Sequence, residues 1–162
     1  MRGSATTITI LLLLTASACA DEPEDVVRKT IGPAGGLVSS HDDVLTIVFQ
    51  PGALTREYEI EIFPSEEPPL IFGSAYRVKP EVDLAVNLEV TYRRVLPNNT
   101  DGVTVGAIRL DDYTQQMGYW DALPRLSIDE AAGWVLASDD QLSLYYGLLE
   151  SGEGNAAADD DS

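Results

Sequence analysis

Glu57-Tyr58-Glu59-Ile60-Glu61-Ile62 sets a carboxylate on every odd position and an apolar side chain on every even one. Successive side chains of a β-strand point to opposite faces, so this alternation makes a strand with one buried and one wet face. Val86-Asn87-Leu88-Glu89-Val90-Thr91-Tyr92-Arg93 repeats the pattern. The two segments predict Tyr58, Ile60, Ile62, Val86, Leu88, Val90 and Tyr92 inside, with Glu57, Glu59 and Glu61 in solvent.

Outward from these two segments, shorter apolar runs read as further strands: 26–31, 36–39, 44–49, 75–79, 103–110, 119–123, 134–137 and 142–148. Turn residues separate them at Gly35-Gly36, Asp42-Asp43, Pro51-Gly52, Asn98-Asn99, Asp101-Gly102 and Ala132-Gly133. No segment carries a helical apolar period, and only Ile128–Ala132 has the makings of a single helical turn. Many short strands with wet alternation predict an all-β fold, an antiparallel β-sandwich of about 8–10 short strands.

The two ends of the chain read differently. Met1-Arg2 opens a positive start, Ile8–Ala16 is an apolar run around Leu11-Leu12-Leu13-Leu14, and small residues lead to Cys19. An apolar run of about 9 residues is too short to cross a bilayer as a helix and matches the core of a signal peptide. Ala16-Ser17-Ala18-Cys19 resembles a bacterial lipobox, in which the cysteine thiol is acylated and becomes the new N-terminus. Ala16 stands where that motif usually has Leu, and Ala-Ser-Ala also fits ordinary cleavage that releases a soluble protein. Cys19 is the sole cysteine of the chain, so no internal disulfide forms and the thiol stands at the cleavage point. The predicted organisation is a signal peptide over 1–18, a lipidated Cys19 with an acidic tether to residue 25, a β domain over 26–149, and an acidic tail over 150–162. That tail lacks any large apolar side chain beyond Glu150 and is expected to be disordered. Ala20 after the cysteine implies, by the bacterial sorting pattern, an outer-membrane lipoprotein; the alternative is a periplasmic or secreted protein.

Over its 162 residues the chain carries 10 basic and 27 acidic residues, a net charge of −17. Removing the leader takes away only Arg2, leaving 9 − 27 = −18. Such acidity repels phosphate backbones, which argues against a nucleic-acid partner and against purely electrostatic membrane binding. The partners expected are the membrane, through the N-terminal lipid, and an unknown protein or glycan.

Ile31-Gly32-Pro33-Ala34-Gly35-Gly36, Val44-Leu45-Thr46-Ile47 and Gln50-Pro51-Gly52-Ala53-Leu54 resemble a ZU-five-type domain, the β-sandwich of zonula occludens proteins, netrin receptors and ankyrins. Tyr76-Arg77-Val78-Lys79-Pro80, the aliphatic strand Val86–Tyr92, Trp120, Trp134 and Gln141–Tyr145 follow in the order of that pattern. The resemblance spans about residues 30 to 148 and implies a fold and a scaffold role, with no fixed chemistry. In it, Pro51 and Gly52 end a strand and turn the chain, and Leu54 drops into the core.

Candidate chemistry is sparse. Some related domains cleave their own chain at His-Phe-Ser; here Ser143 is kept, but Gln141 replaces the base and cannot take a proton near neutral pH. The one histidine, His41, precedes Asp42-Asp43 with no second histidine or free cysteine to complete a site. Asp111-Asp112, Asp121 and Asp139-Asp140 sit near strand ends without the spacing of a calcium loop, so turn roles are expected. Trp120 and Trp134 pack in the core or, if exposed, stack on sugar rings. Leu70-Ile71-Phe72 plugs one end of the sandwich or forms a contact patch. The expectation is a lipid-anchored cell-envelope binding or structural module, not an enzyme, with no cofactor and no metal. The alternative is a secreted or anchored carbohydrate-binding module.

Overall fold

A computed structural model describes residues 25–66, 72–109 and 120–149. Among them there is no helix and there are eleven strands: β1 (Val27–Ile31), β2 (Gly36–Ser39), β3 (Leu45–Phe49), β4 (Tyr58–Ser65), β5 (Phe72–Lys79), β6 (Val82–Arg93), β7 (Thr104–Ile108), β8 (Asp121–Ala122), β9 (Arg125–Asp129), β10 (Trp134–Leu142) and β11 (Tyr145–Leu149). Six form one sheet in the order β1-β4-β5-β11-β7-β8, and five form the other, β2-β3-β6-β10-β9. Every pairing is antiparallel. The fold is the predicted all-β sandwich, with one strand beyond the expected range. The addition is β9: Ile128, read as part of a possible helical turn, lies in this edge strand instead, and the turn follows at 130–133.

The alternation places side chains as expected with two exceptions. Ile60, Ile62, Leu88, Val90 and Tyr92 are buried, Glu57 and Glu59 are exposed, and Glu61 is half-covered by its bond from Arg28 Nε at 2.8 Å. Tyr58 is only half-buried, near the end of the β1–β4 ladder, with the Arg56 guanidinium 4.8 Å above its ring. Val86 is exposed, against expectation. The cause is a bulge: Asp139 pairs with Leu88 but Gln141 pairs with Asp83, so two steps of β10 face five of β6. The surplus residues of β6 leave the pleat, and the period-two rule fails where Val86 stands.

The core lies between the sheets, joining Ile47, Leu54, Ile62, Leu88 and Tyr146 with neighbours from both. Leu54 is buried there as the Pro51-Gly52 bend requires. The opening glycine motif packs against that same bend. Gly35 has φ of 76°, and a Cβ on it would stand 2.5 Å from the Phe49 carbonyl oxygen, while Gly52 N donates to Pro33 O at 2.8 Å. Only glycine satisfies both the left-handed backbone and the close approach.

β7 and β11 lack alternation because both of their faces are covered. Inward, Val105, Ala107, Tyr146 and Leu148 join the main core, and outward, Ile108, Leu144 and Tyr145 form a second small cluster with Trp120. The final strand is Tyr145–Leu149, while Leu142 closes β10 rather than opening it.

At one end of the sandwich the end of β6 meets two turns. Arg93 N donates to Val44 O at 2.8 Å and Arg94 N to Gly133 O at 2.8 Å. Gly133 has φ of 67°, and a Cβ there would come 2.6 Å from the Arg94 carbonyl oxygen, so glycine seats the β6–β7 connection on the β9–β10 turn. Tyr92 donates its hydroxyl to Ser74 O at 2.8 Å, which puts the start of β5 at this end too. Because β4 runs toward its connection with β5 and β1 is antiparallel to β4, the N-terminal segment enters β1 from this end.

Candidate functional site

Two tyrosines pair directly across β5 and β11, Tyr76 opposite Tyr146, and both point into the sandwich. Each hydroxyl reaches a carboxylate belonging to the other sheet. Tyr76 donates to Asp42 Oδ2 at 2.6 Å, and Asp42 Oδ1 accepts from Ser40 Oγ at 2.6 Å. Tyr146 donates to Asp139 Oδ2 at 2.8 Å, which also accepts from Ser143 Oγ at 2.8 Å. The Tyr146 hydroxyl in turn accepts from Ser143 N at 2.8 Å, tying the β10–β11 corner to the core. The molecule therefore has two aspartate–serine–tyrosine pins, one in the β2–β3 turn and one where β10 ends.

Their electrostatics differ. Burial pushes Asp42 up, but hydrogen bonds from Ser40, Tyr76 and the Val44 amide outweigh it and leave the carboxyl below its ordinary value. Asp139 is 1% exposed, and its burial wins: the carboxyl is raised despite hydrogen bonds from Tyr146, Ser143 and the Gln141 amide and the nearby Arg109 charge. Burial, and then the Asp139 charge, raise Tyr146 well above the phenol range.

Asp139 also borders a cleft of about 410 Å³, with Asn87, Arg109, Asp121, Ser138 and Asp140 among its lining residues. Arg109 Nη2 bonds Asp140 Oδ1 at 2.7 Å and stands 3.9 Å from Asp139 Oδ1. A perturbed carboxyl in a cleft is the usual starting point for a catalytic reading. Here Oδ2 of Asp139 is taken by two hydroxyl donors and Oδ1 faces the Gln141 amide and Arg109, so the group is held by its own scaffold. Among the described residues no three of His, Cys, Asp and Glu converge to hold a metal ion.

No protein-family model matches this chain, and no curated protein matches it. The ZU-five resemblance accordingly rests on the order of its own short motifs.

The residues singled out in the sequence fall in separate places. Trp120 is half-buried over β7, where Gly106 lacks the Cβ that would stand 3.1 Å from its ring, and its Nε1 is buried without a hydrogen-bond partner. Trp134 is half-buried on the outer face of the five-stranded sheet, between Arg93 and Asp129 in register. Phe72 opens β5, while Leu70 and Ile71, like Cys19, Asp111-Asp112 and the acidic tail, lie outside the described residues. His41 is exposed beside the Asp42 pin. Ser143 is no strand residue but a fully buried member of the corner, and Asp139 is no turn residue but a core position of β10. Asp139 was within reach of the sequence: Val135, Ala137 and Asp139 continue a single inward period of two.

Proposed function

We propose that this chain is a bacterial lipoprotein: a β-sandwich held at the cell envelope by lipid on Cys19, acting as a binding or structural module without catalysis. The observation that carries it is the place of the one cysteine, directly after the leader's small residues and close ahead of the folded domain. Residues 20–26 separate Cys19 from the first residue of β1, a span that reaches about 28 Å at full extension. A tether of that length keeps the start of β1 within about 28 Å of the anchor. Two or three acyl chains anchor it stably, since each buried methylene contributes about 0.8 kcal/mol. A scaffold role agrees with the ZU-five resemblance and with polar clusters that bind the two sheets to each other.

Expression in a bacterium tests this. Wild-type protein should sediment with membranes, partition into detergent, and yield an N-terminal peptide heavier by the added lipid. Cys19→Ser should lose detergent partitioning and keep the wild-type unfolding midpoint. Soluble wild-type protein beginning at an unmodified Cys19, or at Asp21, would overturn the proposal and make the sandwich a diffusible module.

A further inference from the structure

We infer that the end of the sandwich carrying Arg93, Arg94, Val95 and Trp134 docks on the phospholipid headgroups of the membrane that holds the anchor. The inference rests on the lipid anchor proposed above and adds the face that meets the bilayer. The N-terminal segment enters β1 from this end, and a tether of about 28 Å at most keeps the same end next to its membrane. Val95 is 90% exposed, the most exposed large apolar side chain among the described residues. It stands beside the β9–β10 turn, because Arg94 N is bonded to Gly133 O. Trp134, next in sequence, points outward on the sheet directly opposite Arg93. An exposed aliphatic tip with a neighbouring indole and guanidinium groups is the combination that settles at a membrane–water interface.

Charge decides which lipid. Arg93 and Arg94 are exposed, neither joins an ion pair among the described residues, and the Arg94 guanidinium lies over Gly73 at the start of β5. Carboxylates lie near them as well: Asp42 and Asp43 in the β2–β3 turn and Glu130 in the β9–β10 turn are exposed, so this end carries charges of both signs. Charges beyond about 8 Å are screened at physiological salt, so the chain's overall acidity does not govern contact at this end. A headgroup bearing both a phosphate and an ammonium, such as phosphatidylethanolamine, answers the arginines and these carboxylates together.

The test uses the full acylated chain in vesicles of phosphatidylethanolamine and phosphatidylcholine, with part of the lipid brominated high on its acyl chains. Tryptophan emission should be quenched, and the quenching should be lost in Trp134→Phe. It should also be lost in an Arg94→Glu, Val95→Asp double variant that still carries the lipid and keeps the wild-type unfolding midpoint. Acylated wild-type protein that stays unquenched, or a double variant quenched like wild type, would overturn the docking and leave the anchor standing. Quenching that survives Trp134→Phe would place the contact elsewhere and also overturn it. Quenching that disappears when vesicles hold fewer than two chains would assign this end to a second copy. An N-terminal peptide of unmodified mass would remove the anchor and the docking with it.

Discussion

Leu88 is wholly buried at the centre of the five-stranded sheet, so Leu88→Ala should cost about 2–5 kcal/mol in a urea titration. A loss below about 1 kcal/mol would mean that the site is not packed as the structure has it. Asp139 is a different case, because its hydrogen bonds stabilise the corner while its charge is costly to bury. Asp139→Ala strands the hydroxyls of Ser143 and Tyr146 and should cost about 1–3 kcal/mol. Asp139→Asn keeps an acceptor and removes the charge. The folded protein holds the Asp139 proton more tightly than the unfolded chain does. Its contribution to stability is therefore complete below about pH 3.8 and is lost as pH rises through the raised folded value. The asparagine variant should gain on wild type between pH 4 and pH 7, read as the difference in urea midpoints. Asp42→Asn should move the other way, since a lowered carboxyl contributes above its unfolded value of 3.8 and loses that contribution in acid. Differences that do not change with pH would contradict both assignments. At this scale the sequence is legible wherever one rule decides. Ile60, Ile62, Leu88 and Val90 follow from alternation alone. Asp139 follows from the same alternation, after Val135 and Ala137, but the Asp139-Asp140 pair has the composition of a turn and masks it.

Among the elements, the glycine turn and the Pro51-Gly52 bend stand far apart in sequence and act as one joint. Gly35→Ala should destabilise by about 1–3 kcal/mol from backbone strain, and by more because its methyl would press on the Phe49 carbonyl. Gly52 has φ of 83° but nothing within 4 Å of the place a methyl would take, so Gly52→Ala should show the strain alone and be the milder variant. Equal losses in thermal unfolding would dismiss the joint. Both short motifs were visible in the sequence; their mutual contact was not, since neither carries a mark of the other. The same limit explains Val86. A bulge depends on how two strands are paired, and β6 read alone promises an unbroken alternation. β7 and β11 were legible as strands from their continuous apolar runs, and the layer over their outer face was not, because Trp120 reaches it from a distant stretch.

For the molecule as a whole, the two aspartate pins join the sheets at separate places and leave Ser143 as a hydroxyl donor into Asp139. A serine held in that way has a structural task, so purified protein should remain one intact chain through residue 149 after prolonged incubation. A fragment ending at Leu142 on a denaturing gel would show that Ser143 attacks its own backbone. The architecture was predictable from strand patterning, whereas the strand order was not: nothing in the sequence says that β11 lies between β5 and β7. That placement has a consequence for how the protein is made. The last strand of the domain occupies the middle of its sheet, so β4 and β5 on one side and β7 and β8 on the other cannot join until residue 149 has been synthesised. A chain that stops before β11 holds this sheet as two separate pieces. Closure of the six-stranded sheet therefore waits for the C-terminal end of the domain, in whatever order the other strands pair.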